Sequence, residues 1–260
     1  MGRSGGLVSS KANMTHEISI VIPARDDAEA LSRTLAHLDG LAGIHAVELI
    51  VAASGDPAGT ARAVGTRARL LWPPGSTRAE LMNAGAAAAR GRILLFLHAD
   101  TLLPARAVRA ISEALADASV VGGAFAHRFT EAHPSLAVIS WINRVRYRLT
   151  RTYYGDQAIF VRADVFRSMG RYASVALMED VDLSDRLKRL GRTVVLPEPV
   201  HTSGRRFLTR GCWRTFAFIV WLLLLSTAGL STERYAERWR GSSPPGRRRP
   251  EPTPPGLTGG

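Results

Sequence analysis

Cysteine is all but missing from this 260-residue chain. Cys212 stands alone, which excludes an internal disulfide and a multi-cysteine metal site and fits a reducing compartment. Acidic residues are scarce beside basic ones, 22 against 34, and arginine supplies nearly all of the +12 formal charge. Such a surface suits phosphates, anionic lipid head groups or nucleic acid, and it also serves as a plain solvated face. Arg238, Arg240, Arg247, Arg248 and Arg249 fall in the final tail, so the body is less basic than the total suggests. The residues through Glu17 hold no apolar run long enough for a signal peptide, which makes a cytoplasmic body the expectation. No apolar stretch reaches the ~20 residues a bilayer-crossing helix needs. Phe216 to Leu230, the strongest, reads in three ways: a core or dimer helix, a helix lying in the membrane interface, or a true span. Trp213, Trp221 and Trp239, with arginines following, suit the interfacial reading.

What is present is the composition of a folded protein, 46% hydrophobic, of a length that suits one sizeable domain. The expected division is a disordered tail over 1–16, a globular domain over 17–211, an apolar to amphipathic helical segment over 212–240 and a disordered Pro/Arg-rich tail over 241–260. Ile18 to Pro23 is a β-branched run ended by proline, the form of a first buried strand. Leu31, Leu35 and Leu38 then recur at helical spacing before Gly40. Val47 to Ala52 and Arg69 to Trp72 read as further strands, and Arg78 to Ala89 as an alanine-rich helix whose small residues let it lie close on a sheet. This regular alternation predicts a doubly wound, mostly parallel α/β sheet.

The run from Arg92 to Thr101 reads as a strand buried on both faces, delivering His98 and Asp100 to its carboxyl end. Ligands bind outside the carboxyl ends of such strands, so this pair is placed for a metal ion or a nucleotide. Asp100 reads equally well as the N-cap of a helix starting at Leu103-Pro104. Further on come a strand from Val120 to Phe125, an amphipathic piece from Leu136 to Leu149, a polar turn at Tyr153 to Gln157 and a strand from Ala158 to Val161. Glu179 and Asp180 stand at or before the amino end of a helix lined by Leu183, Leu187 and Leu190. Capping explains one of these carboxylates; four in seven residues, from Glu179 to Asp185, exceed a cap. After a strand over Thr193 to Leu196, His201 to Phe207 forms a polar, basic loop.

Taken together, ISIVIPARDD, STRAELMNAGAAAARGRILLFLHADT, GGAF, YGDQ and LMEDVDLSDRLKRLGR resemble the family 2 glycosyltransferases, inverting enzymes of the nucleotide-sugar-binding GT-A fold. LLFLHADT, GGAF and TSGRRF look most like the radical-SAM/selenodomain-associated, arsenosugar-type bacterial subgroup. The resemblance implies a GT-A domain over 17–211 with a nucleotide-sugar crevice, followed by a C-terminal apolar helix. It implies a nucleoside-diphosphate sugar donor and a divalent cation, Mn²⁺ or Mg²⁺, held by Asp100 with His98, where His98 replaces the usual first carboxylate and alternatively touches the ribose. Pro23, Arg25 and Asp26 correspond to the nucleotide-binding turn. Ala53 occupies the place of the uracil-contacting Asp, with Asp56 the nearest substitute. Arg78 and Asn83 match residues facing the nucleotide, and Arg205 and Arg206 match a basic loop over the departing diphosphate. Asp180 is implied as general base, with Glu179 orienting it, and Gly155, Asp156 and Gln157 as the acceptor side. The expected partners are the donor and a small-molecule or lipid-linked acceptor and, from the Phe216 to Leu230 stretch, a peripheral contact at the inner face of the cell membrane or a homodimer, with no nucleic acid. The alternative is a degenerate GT-A-like domain that binds a nucleotide, a partner or a membrane surface without catalysis.

Overall fold

The computed structural model describes residues 16–236 and 239. The expected tails over 1–16, except His16, and 241–260 lie outside the described residues. β1 (Ile18–Arg25) is buried on both faces from Ile18 to Ile22, as its β-branched run requires. α1 (Ala28–Asp39) follows, capped by the Asp27 side chain on the Ala30 amide, and turns Leu31, Leu35 and Leu38 inward. β2 (Val47–Ser54), α2 (Pro57–Val64), β3 (Arg69–Leu71), α3 (Arg78–Ala88) and β4 (Ile93–Phe96) complete a first half in which β1 pairs in parallel with both β2 and β4, and β2 with β3. A reciprocal Thr77–Glu80 capping box starts α3. Gly85 lets α3 lie directly on Val21 of β1, where any Cβ would collide.

The second half departs from a regular alternation. It runs β5 (Thr101–Leu102), α4 (Ala107–Leu115), β6 (Val120–Phe129), α5 (Pro134–Thr150), β7 (Ile159–Arg162), α6 (Ala163–Ser168), α7 (Glu179–Leu190), β8 (Arg192–Thr202), α8 (Arg205–Arg210) and α9 (Cys212–Thr227). One sheet results, in the order β3-β2-β1-β4-β7-β6-β8-β5. β7 runs antiparallel to β4 and β6, and β5 antiparallel to β8, while β6 and β8 are parallel. The sheet is therefore mixed, with three antiparallel pairings in its second half. One apolar layer packs α1 and α4 on the face carrying Ile20, Ile22 and Phe125. The other packs α3, α6 and α7 on the face carrying Val21, Leu94 and Phe96.

Five sequence expectations change here. The Arg92 to Thr101 strand ends at Phe96; Leu97 makes a last bond to the Val21 carbonyl, the chain leaves the sheet, and Thr101 pairs with Thr202 instead. Asp100 does not cap α4, which begins seven residues later behind Arg106. β8 continues to Thr202 through Pro197 and Pro199, because a register shift from Phe125–Leu196 to Ala126–Pro199 leaves Pro197 and Glu198 out of the ladder. The expected basic loop then gives way to α8. The spanning reading of the Phe216 stretch also falls: α9 has 16 residues and, among the described residues, no helix is long and apolar enough to cross a membrane.

Candidate functional site

Because β7 is reversed, its amino end lies with the carboxyl ends of β1, β2, β4, β6 and β8, and the polar residues converge on that edge. At the ends of β1 and β2, Asp26 adopts a left-handed backbone, φ 51°. Its Oδ1 accepts the Asp56 amide at 3.1 Å. Gly55, φ 90°, leaves the space that this carboxylate fills. Arg25 lies 3.6 Å from Asp26, both half-exposed beside Pro23. The Asp56 carboxylate is occupied as the N-cap of α2, accepting from Ala58 and Gly59. Ala53 is fully buried and offers no side-chain acceptor.

Three elements meet at Gly155, which opens the 3-10 turn Gly155–Gln157 before β7. Its amide donates to Asp180 Oδ2 at 2.5 Å. A Cβ on Gly155 would stand 2.5 Å from His98 Nε2 and 3.4 Å from Asp180 Oδ2. That Nε2 is buried with no hydrogen-bond partner. Burial, aided by the fields of Arg78 and Arg206, holds the imidazole pKa well below its usual value, so His98 is neutral at pH 7.

Glu179 and Asp180 open α7 behind Met178, whose left-handed backbone, φ 65°, turns the chain into the helix. They are 5% and 8% exposed, which is unusual for adjacent carboxylates. Burial first, then repulsion from Glu179, raises the Asp180 pKa to about 7, against the opposing pull of the Gly155 amide and Arg78. Asp180 Oδ1 accepts its neighbour's amide, Val181, at 2.9 Å. Glu179 Oε1 lies 3.4 Å from the Arg78 guanidinium. Burial works against the charge of Arg78, and the carboxylates of Glu179, Asp180, Asp100 and Asp156 outweigh it and raise its pKa. Arg78 is thus the common electrostatic neighbour of Glu179, Asp180, Asp100 and Asp156.

Burial also raises the Asp100 pKa; Arg78 and Arg206 oppose it, and Asp156 and Asp27 add to it. Arg206 stacks its guanidinium over the Trp239 ring at 4.5 Å, and burial with repulsion from Arg78 lowers its pKa to about 10, leaving it a cation at pH 7. Arg205 bonds to Asp27 at 2.8 Å, tying α8 to the cap of α1.

Two expected residues are held by backbone instead. Asn83 bonds through both amide ends to Tyr172, at 2.9 and 3.0 Å. Gln157 bridges the Phe125 carbonyl and the Tyr154 amide, both at 3.0 Å. Sequence reasoning missed His127, buried on β6 with Nε2 3.5 Å from Asp156 Oδ2. Its only signal is a titratable side chain at the end of the apolar run from Val120. It also missed Tyr172, packed edge-on to Phe96 and raised well above its usual pKa by burial beside Asp180.

Among the described residues, no three His, Cys, Asp or Glu side chains form a metal-binding group. Oxygen donors are present in Asp100 and Asp156, a hard set that suits Mg²⁺ or Mn²⁺ once ligand oxygens complete the shell. The His98 Nε2, closed off by Gly155, does not fit as a donor. A cavity of about 570 Å³ lies at the opposite end of β4, among Arg90, Arg92, Arg162 and Arg167, and takes no part in this cluster.

Comparison with known proteins adds three findings. Residues 19–175 match the family model described as Glycosyl transferase family 2. The structure is similar to a mannosyltransferase, PcManGT, from Pyrobaculum calidifontis in complex with GDP-Man and Mn²⁺: TM-score 0.57 at 18% identity, covering 72% of this chain and 56% of that one. It is also similar to S. aureus TarS 1-349, TM-score 0.59 at 12% identity, covering 72% of this chain and 60% of that one. The same protein in complex with UDP-GlcNAc gives TM-score 0.55 at 13% identity, with 72% and 58% covered. At such identities the likeness shows the fold alone, and the chain spans less than two thirds of these structures. No curated protein sequence matches the chain significantly.

Proposed function

This chain belongs to glycosyl transferase family 2, whose model covers more than half of it, and on that premise we propose that it transfers a sugar, with inversion, from a nucleoside-diphosphate sugar to an acceptor hydroxyl. The observation that carries the proposal is the gathering of Glu179, Asp180, Asp100 and Asp156 around Arg78 at one edge of the sheet. Asp180, near pKa 7, is poised to accept a proton at physiological pH, and each of its oxygens keeps a free lone pair beside its backbone bond. The acceptor hydroxyl, set against Gly155 and Asp156, gives its proton to Asp180 as its oxygen attacks the anomeric carbon. The bond to the diphosphate breaks on the opposite face, and the diphosphate leaves with the electron pair. Arg78 and Arg206 supply fixed positive charge there. Glu179, held on Arg78, raises the basicity of Asp180.

Asp100 is the residue that would hold a divalent cation, which when bound neutralises charge on the leaving diphosphate. His98 acts instead as a neutral wall behind Gly155. Pro23, Arg25 and Asp26 take the nucleoside, while Asp56, Asn83 and Gln157 hold the loops that surround it. Ala53 leaves a uracil without a carboxylate partner, so the base is recognised elsewhere on this edge. The donors named in the complexes of similar structures, GDP-Man and UDP-GlcNAc, are of the proposed class. LLFLHADT, GGAF and TSGRRF support the radical-SAM-associated subgroup, and a cytoplasmic site is the matching location.

A second reading, a binding module without turnover, draws on the lack of a three-donor metal group among the described residues. A panel of nucleoside-diphosphate sugars incubated with Mn²⁺ separates the two. Donor hydrolysis by the native chain, lost in Asp100→Ala and Asp180→Asn, supports the transferase; thermal stabilisation by a nucleoside diphosphate with no turnover of any donor supports the module.

A further inference from the structure

The two helices that close the chain's α8 side carry apolar surface that the fold does not use. On α9, Trp213, Val220, Trp221 and Leu224 recur at i, i+7, i+8 and i+11 and are all exposed, Trp213 at 52% and Leu224 at 57%. The opposite face of the same helix buries Thr215, Leu222 and Leu225. On α5, Val138, Trp141, Val145 and Leu149 fall at i, i+3, i+7 and i+11 and are exposed up to 80%, while Leu136, Ile139 and Tyr147 are buried on the other side. Each helix is therefore apolar twice: once toward the body, where Leu136 and Ile139 meet Phe216 and Ile219, and once toward solvent. Exposed tryptophans set in apolar helical stripes mark an interaction surface rather than scattered exposure.

Charge identifies the occupant. α5, α8 and α9 contain no Asp or Glu, and Arg148, Arg210 and Arg214 stand exposed on them. A second copy of this chain docked through the same stripes would bring like charges together, which disfavours it. A bilayer rich in anionic phospholipid offers the complementary combination: headgroup phosphate for the arginines and acyl boundary for tryptophan and leucine. No described helix is long and apolar enough to cross a membrane, so the contact is one that lies on the surface. We propose that α9, with α5 beside it, seats this protein on an anionic lipid surface.

The position bears on the acceptor. α8, which carries Arg206, runs directly into α9 through Gly211, and α5 runs into the turn that presents Gly155 and Asp156. A lipid surface held by these helices adjoins the acceptor side of the cleft, so the class of acceptor implied is an amphiphile whose hydroxyl stands at the headgroup level. This last step rests on the transferase reading; the membrane contact does not.

Flotation of the full chain with vesicles tests the contact without requiring activity. Vesicles of phosphatidylglycerol and phosphatidylcholine in equal parts should carry the protein upward, with at least about tenfold weaker partition onto phosphatidylcholine alone and a marked fall in high salt. The triple change Trp213→Ser, Trp221→Ser, Leu224→Ser should lower partition by about tenfold or more while the circular-dichroism melt stays unchanged, since these side chains are exposed. A Trp141→Ser, Leu149→Ser variant gives an independent second reading on α5. The proposal is overturned if the native chain ignores anionic vesicles, if both variants bind them as well as the native chain does, or if sedimentation shows a dimer that the triple change dissolves and no vesicle binding.

Discussion

Asp180 carries a proton that an exposed carboxyl would already have lost. Its pKa lies near 7 in the folded chain against 3.8 for the free group, because burial and Glu179 outweigh the Gly155 amide and Arg78. In the proposed role only the ionised form works. The rate at low donor concentration should rise about tenfold per pH unit below 7 and level off above it. Stability moves the other way: between about pH 4 and pH 7 the native state holds a proton that the unfolded chain has released, so stability falls as pH rises through that window. Asp180→Asn should cut turnover by about 10²- to 10⁴-fold and flatten this part of the pH dependence, read as the difference between the two melting curves. Gly155 is as exacting. Gly155→Ala places a methyl 2.5 Å from His98 Nε2, a buried clash with a cost of about 1–3 kcal/mol, and a loss of activity larger than the loss of folded protein would confirm that the Gly155–Asp180 bond sets the base.

At the level of single elements, α8 is the piece whose meaning changed most between sequence and structure. Glycine, paired arginines and a threonine before them read as loop, because six residues give too little periodicity to declare a helix. The fold makes the helix anyway, packing Phe207 against Phe129 at 5.0 Å between ring centres and tying Arg205 to Asp27. Arg205→Ala should release α8 from the cap of α1. Because the pair is largely exposed, the stability loss should stay below about 1 kcal/mol, and the effect should appear as a raised donor KM with kcat nearly intact. β1, α1, α3 and the amino end of α7 were legible, since each depends on a local pattern: a β-branched run, leucines three and four apart, an alanine-rich stretch, two carboxylates ahead of a leucine stripe. The roles of Asn83 and Gln157 were not, because both act through backbone partners, Tyr172 and Phe125, that are distant in sequence.

For the molecule as a whole, the sequence showed an α/β sheet, and its family resemblance implied roles for Asp100 and Asp180, but not how the second half is wound. Nothing in Ile159–Arg162 announces that this strand runs backwards; four apolar or half-buried residues look the same in either direction. Direction is set by what it must pair with, Ile93 opposite Arg162 and Phe96 opposite Ile159. That late partner also shapes the chain's life before it is complete. From the moment β4 emerges until β7 is made more than sixty residues later, one side of Ile93–Phe96 stands open as an unpaired, wholly apolar ladder, the kind of template onto which another nascent copy adds a strand. Fragments that stop short of residue 158 should therefore collect as insoluble aggregate during synthesis, while the intact polypeptide closes that gap itself.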